Sequence, residues 1–242
     1  MAHTSAFRGA DLIGARGVIT VEGAVTADGV RSSSWRRSVE LAVLFSAAPG
    51  VLALGPRWLV TVGILATGVG CAVVLALDPT FPRRELFDVA AARKGIGFVL
   101  GRTLIGWVAL VVLTILVAPD RLFAFPRTNP TLWAALMVVY PISAYAQEIV
   151  FRTFFFHRYG DLLRWPGVTV VASGLVFGWA HIVVNNLAAV GLSALAGLLF
   201  ASTYHRSRST LLVSIEHALY GNFVFTVGLG SLFYSPDRWV GH

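Results

Sequence analysis

The chain has 242 residues, of which 56% are hydrophobic and 13% charged, where a soluble domain carries roughly 25% charged residues. That balance excludes a soluble globular protein. The net charge of +7 shows no Arg/Lys stripe interleaved with aromatics, so nucleic acid is excluded as a partner and the excess of Arg is read through the positive-inside rule.

Residues 1–37 read as a polar tail, Gly/Ala-rich, with a short strand-like piece at Gly17–Val21. No apolar stretch precedes Val39, so no cleaved signal peptide is expected. Seven apolar segments follow, at 38–55, 58–77, 96–118, 131–156, 167–184, 187–204 and 209–233. Each is near the ~20 residues that a membrane-spanning helix needs. The expected fold class is an all-α polytopic membrane helix bundle with about seven transmembrane helices, forming one domain over 38–235 and a short tail at 236–242. Arg102, just inside the third span, is expected to snorkel to the interface. Small residues at Ser193, Gly197 and Ala201, and at Ala66 and Gly70, recur every four positions and predict close helix contacts.

Loop charge sets the expected orientation. With the amino terminus cytoplasmic, inner segments hold Arg31, Arg36, Arg37, Arg83, Arg84, Arg93, Lys94, Arg158, Arg164, Arg206 and Arg208. Outer segments hold only Arg57, Arg121, Arg127 and Arg238. The expected location is the cell membrane, multi-pass. The single Cys71 rules out an internal disulfide.

The stretch Tyr140–Asp161, YPISAYAQEIVFRTFFFHRYGD, carries the first chemical signal. Gln147, Glu148 and Arg152 interrupt an apolar run, and ionisable residues within a membrane span mark function by default. Glu148 and Arg152 are four apart and can pair on one helix face. Only His181 and His217 among the histidines lie within spans, and Glu216 is the other acidic residue well inside. At 1.5 Å per residue, Glu148, His181 and His217 lie roughly 15, 22 and 14 Å from the inner interface, within a helical turn or so of one level. Two imidazoles and a carboxylate meeting there form either a catalytic cluster or a metal site. The bland readings are a Glu148–Arg152 ion pair, a His181 bond to a neighbouring carbonyl and an interhelical bond from Asn222.

Gln147-Glu148-x-x-x-Arg152, then Phe177-x-x-x-His181, then His217 onwards, in this order on spans four, five and seven, resemble the CPBP family. That family comprises CAAX-type prenyl proteases, bacteriocin-processing enzymes and Abi-type membrane proteins. The resemblance covers about residues 38–235 and implies peptide-bond hydrolysis near the membrane. It implies that His181 activates or positions water, that His217 and Asn222 hold the oxyanion, and that Arg152 locks Glu148. Its substrate would be a peptide or a membrane-anchored protein, with the lipid bilayer as surroundings and no oligomeric state assigned.

Two positions depart from the family pattern. Gln147 stands where the first Glu is expected, and a neutral amide cannot take a proton from water. Either Glu148 or Glu216 would then supply the carboxylate. Gly221 stands where Asn or Asp is usual, with Asn222 one residue late. These departures keep a non-catalytic relative, acting as a membrane binding or immunity protein, beside the endopeptidase, with a small-solute transporter as a third reading. No cofactor is assured. Two histidines and one Glu would also satisfy zinc with an open fourth position, but no His-Glu-x-x-His spacing is present.

Overall fold

The computed structural model describes residues 27–56 and 58–233. The strand-like piece at Gly17–Val21, Arg57 and the tail at 236–242 lie outside the described residues. Every regular element described is helical. α1 (Ala27–Ala42) runs through a π turn at Val43–Ala47 into α2 (Ala48–Leu52). α3 (Trp58–Leu77), α4 (Val89–Val117) and the short α5 (Ala124–Thr128) follow. α6 (Pro130–Glu148) continues through a second π turn, Ile149–Phe154, into α7 (Phe155–Tyr159). α8 (Pro166–Ala180) ends in a 3₁₀ turn at His181–Val184, and α9 (Leu187–Ser207) and α10 (Thr210–Val227) complete the bundle.

Among the described residues, six helices are long and apolar enough to cross a membrane: α3, α4, α6–α7, α8 with its 3₁₀ turn, α9 and α10. The molecule is a multi-pass helical membrane bundle. The segment expected at 38–55 is the difference in count. Its helix starts at Ala27, inside the expected tail, and stops at Leu52. The apolar part from Leu41 to Leu52 spans about 18 Å at 1.5 Å per residue, short of a hydrocarbon core of ~30 Å. This piece is nevertheless bound to the bundle. Arg37 pairs with Asp161 at 2.8 Å, Arg158 with Glu40 at 2.8 Å, and Trp179 Nε1 donates to Ser46 O at 2.9 Å. Phe45 meets the edges of Phe151, Phe155 and Tyr159.

Local chemistry starts and stops the helices. Asp88, Asn186 and Ser209 cap α4, α9 and α10 by accepting from first-turn amides, which satisfies otherwise orphaned donors. Pro130 and Pro166 occupy first-turn positions where no amide hydrogen is needed. Gly228, at φ 113°, ends α10 in the left-handed region.

Small residues set the helix contacts. Ser193, Gly197 and Ala201 are buried on α9, and in the α8–α9 seam Gly197 meets Gly174 while Gly174 and Gly178 receive Leu198 and Ala194. The expected stripe on α3 is corrected: Ala66 and Gly70 are exposed, and Gly68, between them, packs against Ala146. The apolar flanks of α3 and α4, such as Val69, Val73, Leu104 and Ile105, are exposed and suit lipid contact. The segment Ile149–Phe156 is buried all round, which places it at the centre of the bundle.

Candidate active site

Glu148 ends the regular part of α6, immediately before the π turn. A π turn adds a residue to one helical cycle, and such bulges recur at functional sites. Glu148 is fully buried, and its Oε1 accepts from His217 Nδ1 at 2.7 Å. Its Oε2 lies 3.2 Å from Arg152 Nε, an ion pair without a well-aligned hydrogen bond. Arg152, also fully buried, donates from Nη2 to Gly197 O at 3.1 Å and lies 4.3 Å above the Phe177 ring. The expected Arg152 lock on Glu148 is therefore a contact in the structure. A buried charge needs a partner, and each of these two supplies the other's.

His217 is held on all sides. Its ring stacks on Phe200 at 4.8 Å and meets the Phe177 edge at 5.3 Å. An ionised carboxylate can only accept, so Nδ1 of His217 carries the hydrogen that Glu148 receives. Nε2 then accepts from the Tyr140 hydroxyl at 3.0 Å. The result is a line of three groups, Glu148–His217–Tyr140, from the packed centre to the wall of a chamber. Sequence reasoning did not assign Tyr140 a role. The only signal it offered was its position seven residues before Gln147, on the same helix face.

That chamber has a volume of about 610 Å³. Its lining includes the polar side chains of Tyr140, Ser143, Gln147, His181 and His217, and most of the rest is apolar. His181 sits at the change from α8 to 3₁₀ helix, with φ −78° and ψ 1°. This is the sparsely populated bridge region, where many active-site residues sit. Its Nδ1 donates to Phe177 O at 2.9 Å. A carbonyl only accepts, so Nε2 bears the lone pair in the neutral ring, and Nε2 makes no hydrogen bond to protein among the described residues. The Phe177 ring lies 4.9 Å from His181 and 5.3 Å from His217, in edge contact with both imidazoles.

The remaining expected site residues divide. Gln147 lines the chamber, its Nε2 donating to Ser143 Oγ at 3.1 Å. Glu148 does not line it; it lies behind His217, so its expected move into the place of the missing carboxylate is corrected to a holding position. Glu216 is corrected as well. It faces α4 and α9, where Arg102 Nε donates to its Oε1 at 2.9 Å and Arg102 also bonds Ser202, Thr203 and Leu199 O. Arg102 accordingly points into the bundle rather than snorkelling outward, because a buried carboxylate one helix away is the better partner. Asn222 is turned from the chamber and donates to Met137 O at 3.2 Å. It is the interhelical bond of the bland reading.

Both Glu148 oxygens face His217 or Arg152, and no group of three His, Cys, Asp or Glu that could hold a metal ion is found among the described residues.

Compared with known proteins, residues 129–224 match the family described as type II CAAX prenyl endopeptidase Rce1-like. No curated protein and no solved structure matches the chain. The matched segment contains Tyr140, Gln147, Glu148, Arg152, His181 and His217.

Proposed function

We propose, from the match of residues 129–224 to the type II CAAX prenyl endopeptidase Rce1-like family, that the protein is a membrane-embedded endopeptidase acting on a membrane-anchored peptide. The observation that carries this reading is the pairing of an unengaged imidazole nitrogen, Nε2 of His181, with the Glu148–His217 pair on one chamber.

In this reading His181 Nε2 takes a proton from water as the water oxygen attacks the scissile carbonyl. A positioned base of this kind contributes about 10²–10⁴-fold. His181 then passes the proton to the leaving amine nitrogen as the C–N bond breaks, which gives one acid and one amine. Glu148 fixes His217 in one tautomer and ring orientation, and Arg152 holds Glu148. Gln147 orients water or the substrate amide through hydrogen bonds and takes no proton. The apolar walls accommodate a lipid-like anchor. We place the protein in the cell membrane with its amino terminus on the cytoplasmic side, on the Arg/Lys asymmetry of the loops.

The test is cleavage of a farnesyl-cysteine peptide bearing three further residues, by purified protein in liposomes, with the unprenylated peptide alongside. His181→Ala is expected to lower kcat at least 100-fold without changing Tm. Unaltered cleavage by that variant would remove His181 from the reaction.

One observation favours a second reading. The chamber-facing position of α6 is the neutral Gln147, which suits a non-catalytic protein that binds the same kind of ligand. Gln147→Glu separates the two. A gain of tenfold or more over a weak native rate identifies an enzyme of low turnover, whereas binding without cleavage in both native and variant identifies the binding protein.

A further inference from the structure

We infer that Tyr140 is a catalytic residue of this site, its hydroxyl donating to the scissile carbonyl oxygen as that oxygen takes up charge. The inference rests on the hydrolase reading above. Tyr140 reaches the chamber from α6 and bonds His217 Nε2 at 3.0 Å. Its ring meets the His217 edge at 5.8 Å and the Phe225 edge at 5.9 Å, so its direction is fixed from two sides.

The position has a steric counterpart on α10. Gly221 is four residues after His217 and therefore on the same helix face. A Cβ at 221 would overlap the ring and hydroxyl of Tyr140. Tyr140 thus occupies the space that a side chain one turn beyond His217 would take, and the glycine is what admits it. Asn222, the nearest amide in sequence, is engaged with Met137 O instead. The single N–H of His217 is taken by Glu148 and its Nε2 accepts, so the Tyr140 hydroxyl is left as the donor beside it.

The step balances as follows. The water oxygen bonds to the carbonyl carbon, and water's proton moves to His181 Nε2. The carbonyl π pair moves to oxygen, toward which the Tyr140 O–H rotates from His217 Nε2. When the pair returns, the C–N bond breaks and His181 protonates the amine. Tyr140 keeps its proton throughout and returns to Nε2 when the products leave. A donor aimed at a developing oxyanion in a dry site is worth about 10²–10³ in kcat.

Tyr140→Phe keeps the ring in the Gly221 notch and removes only the hydroxyl. With the farnesyl-cysteine peptide, kcat is expected to fall about 100-fold with KM within about threefold, because the lost bond is made in the transition state. The steric half is tested by exchange: Tyr140→Ala with Gly221→Asn is expected to recover at least tenfold over Tyr140→Ala alone. A Tyr140→Phe kcat within threefold of native, in a series where His181→Ala is inactive, overturns this assignment and leaves the hydrolase reading standing. No cleavage by the native protein overturns both. Should Tyr140→Phe unfold, the exchange pair decides, and failure to recover activity rejects the assignment.

Discussion

A single step along α6 separates the residue that faces the chamber, Gln147, from the residue that holds His217, Glu148. Side chains one apart on a helix point about 100° from each other, so the two cannot exchange roles without moving the helix. The same scale governs the polar end of the bundle. His157 Nε2 and Asp78 Oδ2 are 2.8 Å apart, and Thr80 bonds the other Asp78 oxygen from both its amide and its hydroxyl. The His157 hydrogen bond, followed by the Thr80 bonds, holds the Asp78 carboxyl down to about 2 from an ordinary 3.8. A carboxyl held low stabilises the fold above its unfolded value, and that contribution is lost as the pH falls through the folded one. The expected outcome is a Tm that drops between pH 4 and about 2 in the native protein. Asp78→Asn should flatten that part of the profile, as read by thermal unfolding in detergent; equal slopes would mean that the pair adds nothing.

Among elements, the α8–α9 seam is the tightest fit, and it shows what the chain alone could and could not tell. A side chain at Gly178 would meet the Ala194 backbone, whereas one at Gly70 would meet nothing within 4 Å. Gly178→Leu is expected to lower stability by about 1–3 kcal/mol through overpacking. Gly70→Leu, on an exposed face inside α3, should not lower it, and removing a mid-helix glycine is expected to raise it by up to about 1 kcal/mol. Matched unfolding curves in detergent check both, and equal effects would refute the seam. The four-residue spacing of Ser193, Gly197 and Ala201 made this contact readable from the chain. On α3 the same spacing pointed one face away from the true contact at Gly68, because a stripe of small residues also suits lipid. The Glu148–His217 meeting was readable because so few ionisable residues lie within the spans. The facing of Gln147, Glu216 and Asn222 was not, since it depends on how each helix rotates against its neighbours. The π turn after Glu148 adds to that rotation without any glycine or proline to announce it.

Across the whole molecule, the chamber joins parts that are far apart in the chain. Leu44, Phe45, Thr67, Cys71 and Leu110 line it together with Gln147, His181 and His217. Cys71 is the single thiol of the protein and is partly accessible, which makes it a reporter of occupancy. Its labelling by a small methanethiosulfonate is expected to slow at least tenfold when the farnesyl-cysteine peptide saturates the site. Unchanged labelling during cleavage would mean that the peptide anchor lies elsewhere.

All the side chains assigned to bond breaking fall within residues 129–224, while much of the apolar wall is drawn from residues 44–113. On the proposed function, reactivity and admission would thus be written in separate stretches of the chain. Substitutions in the earlier stretch are then expected to retune which anchored chains enter, while the groups proposed to act on them stay as they are.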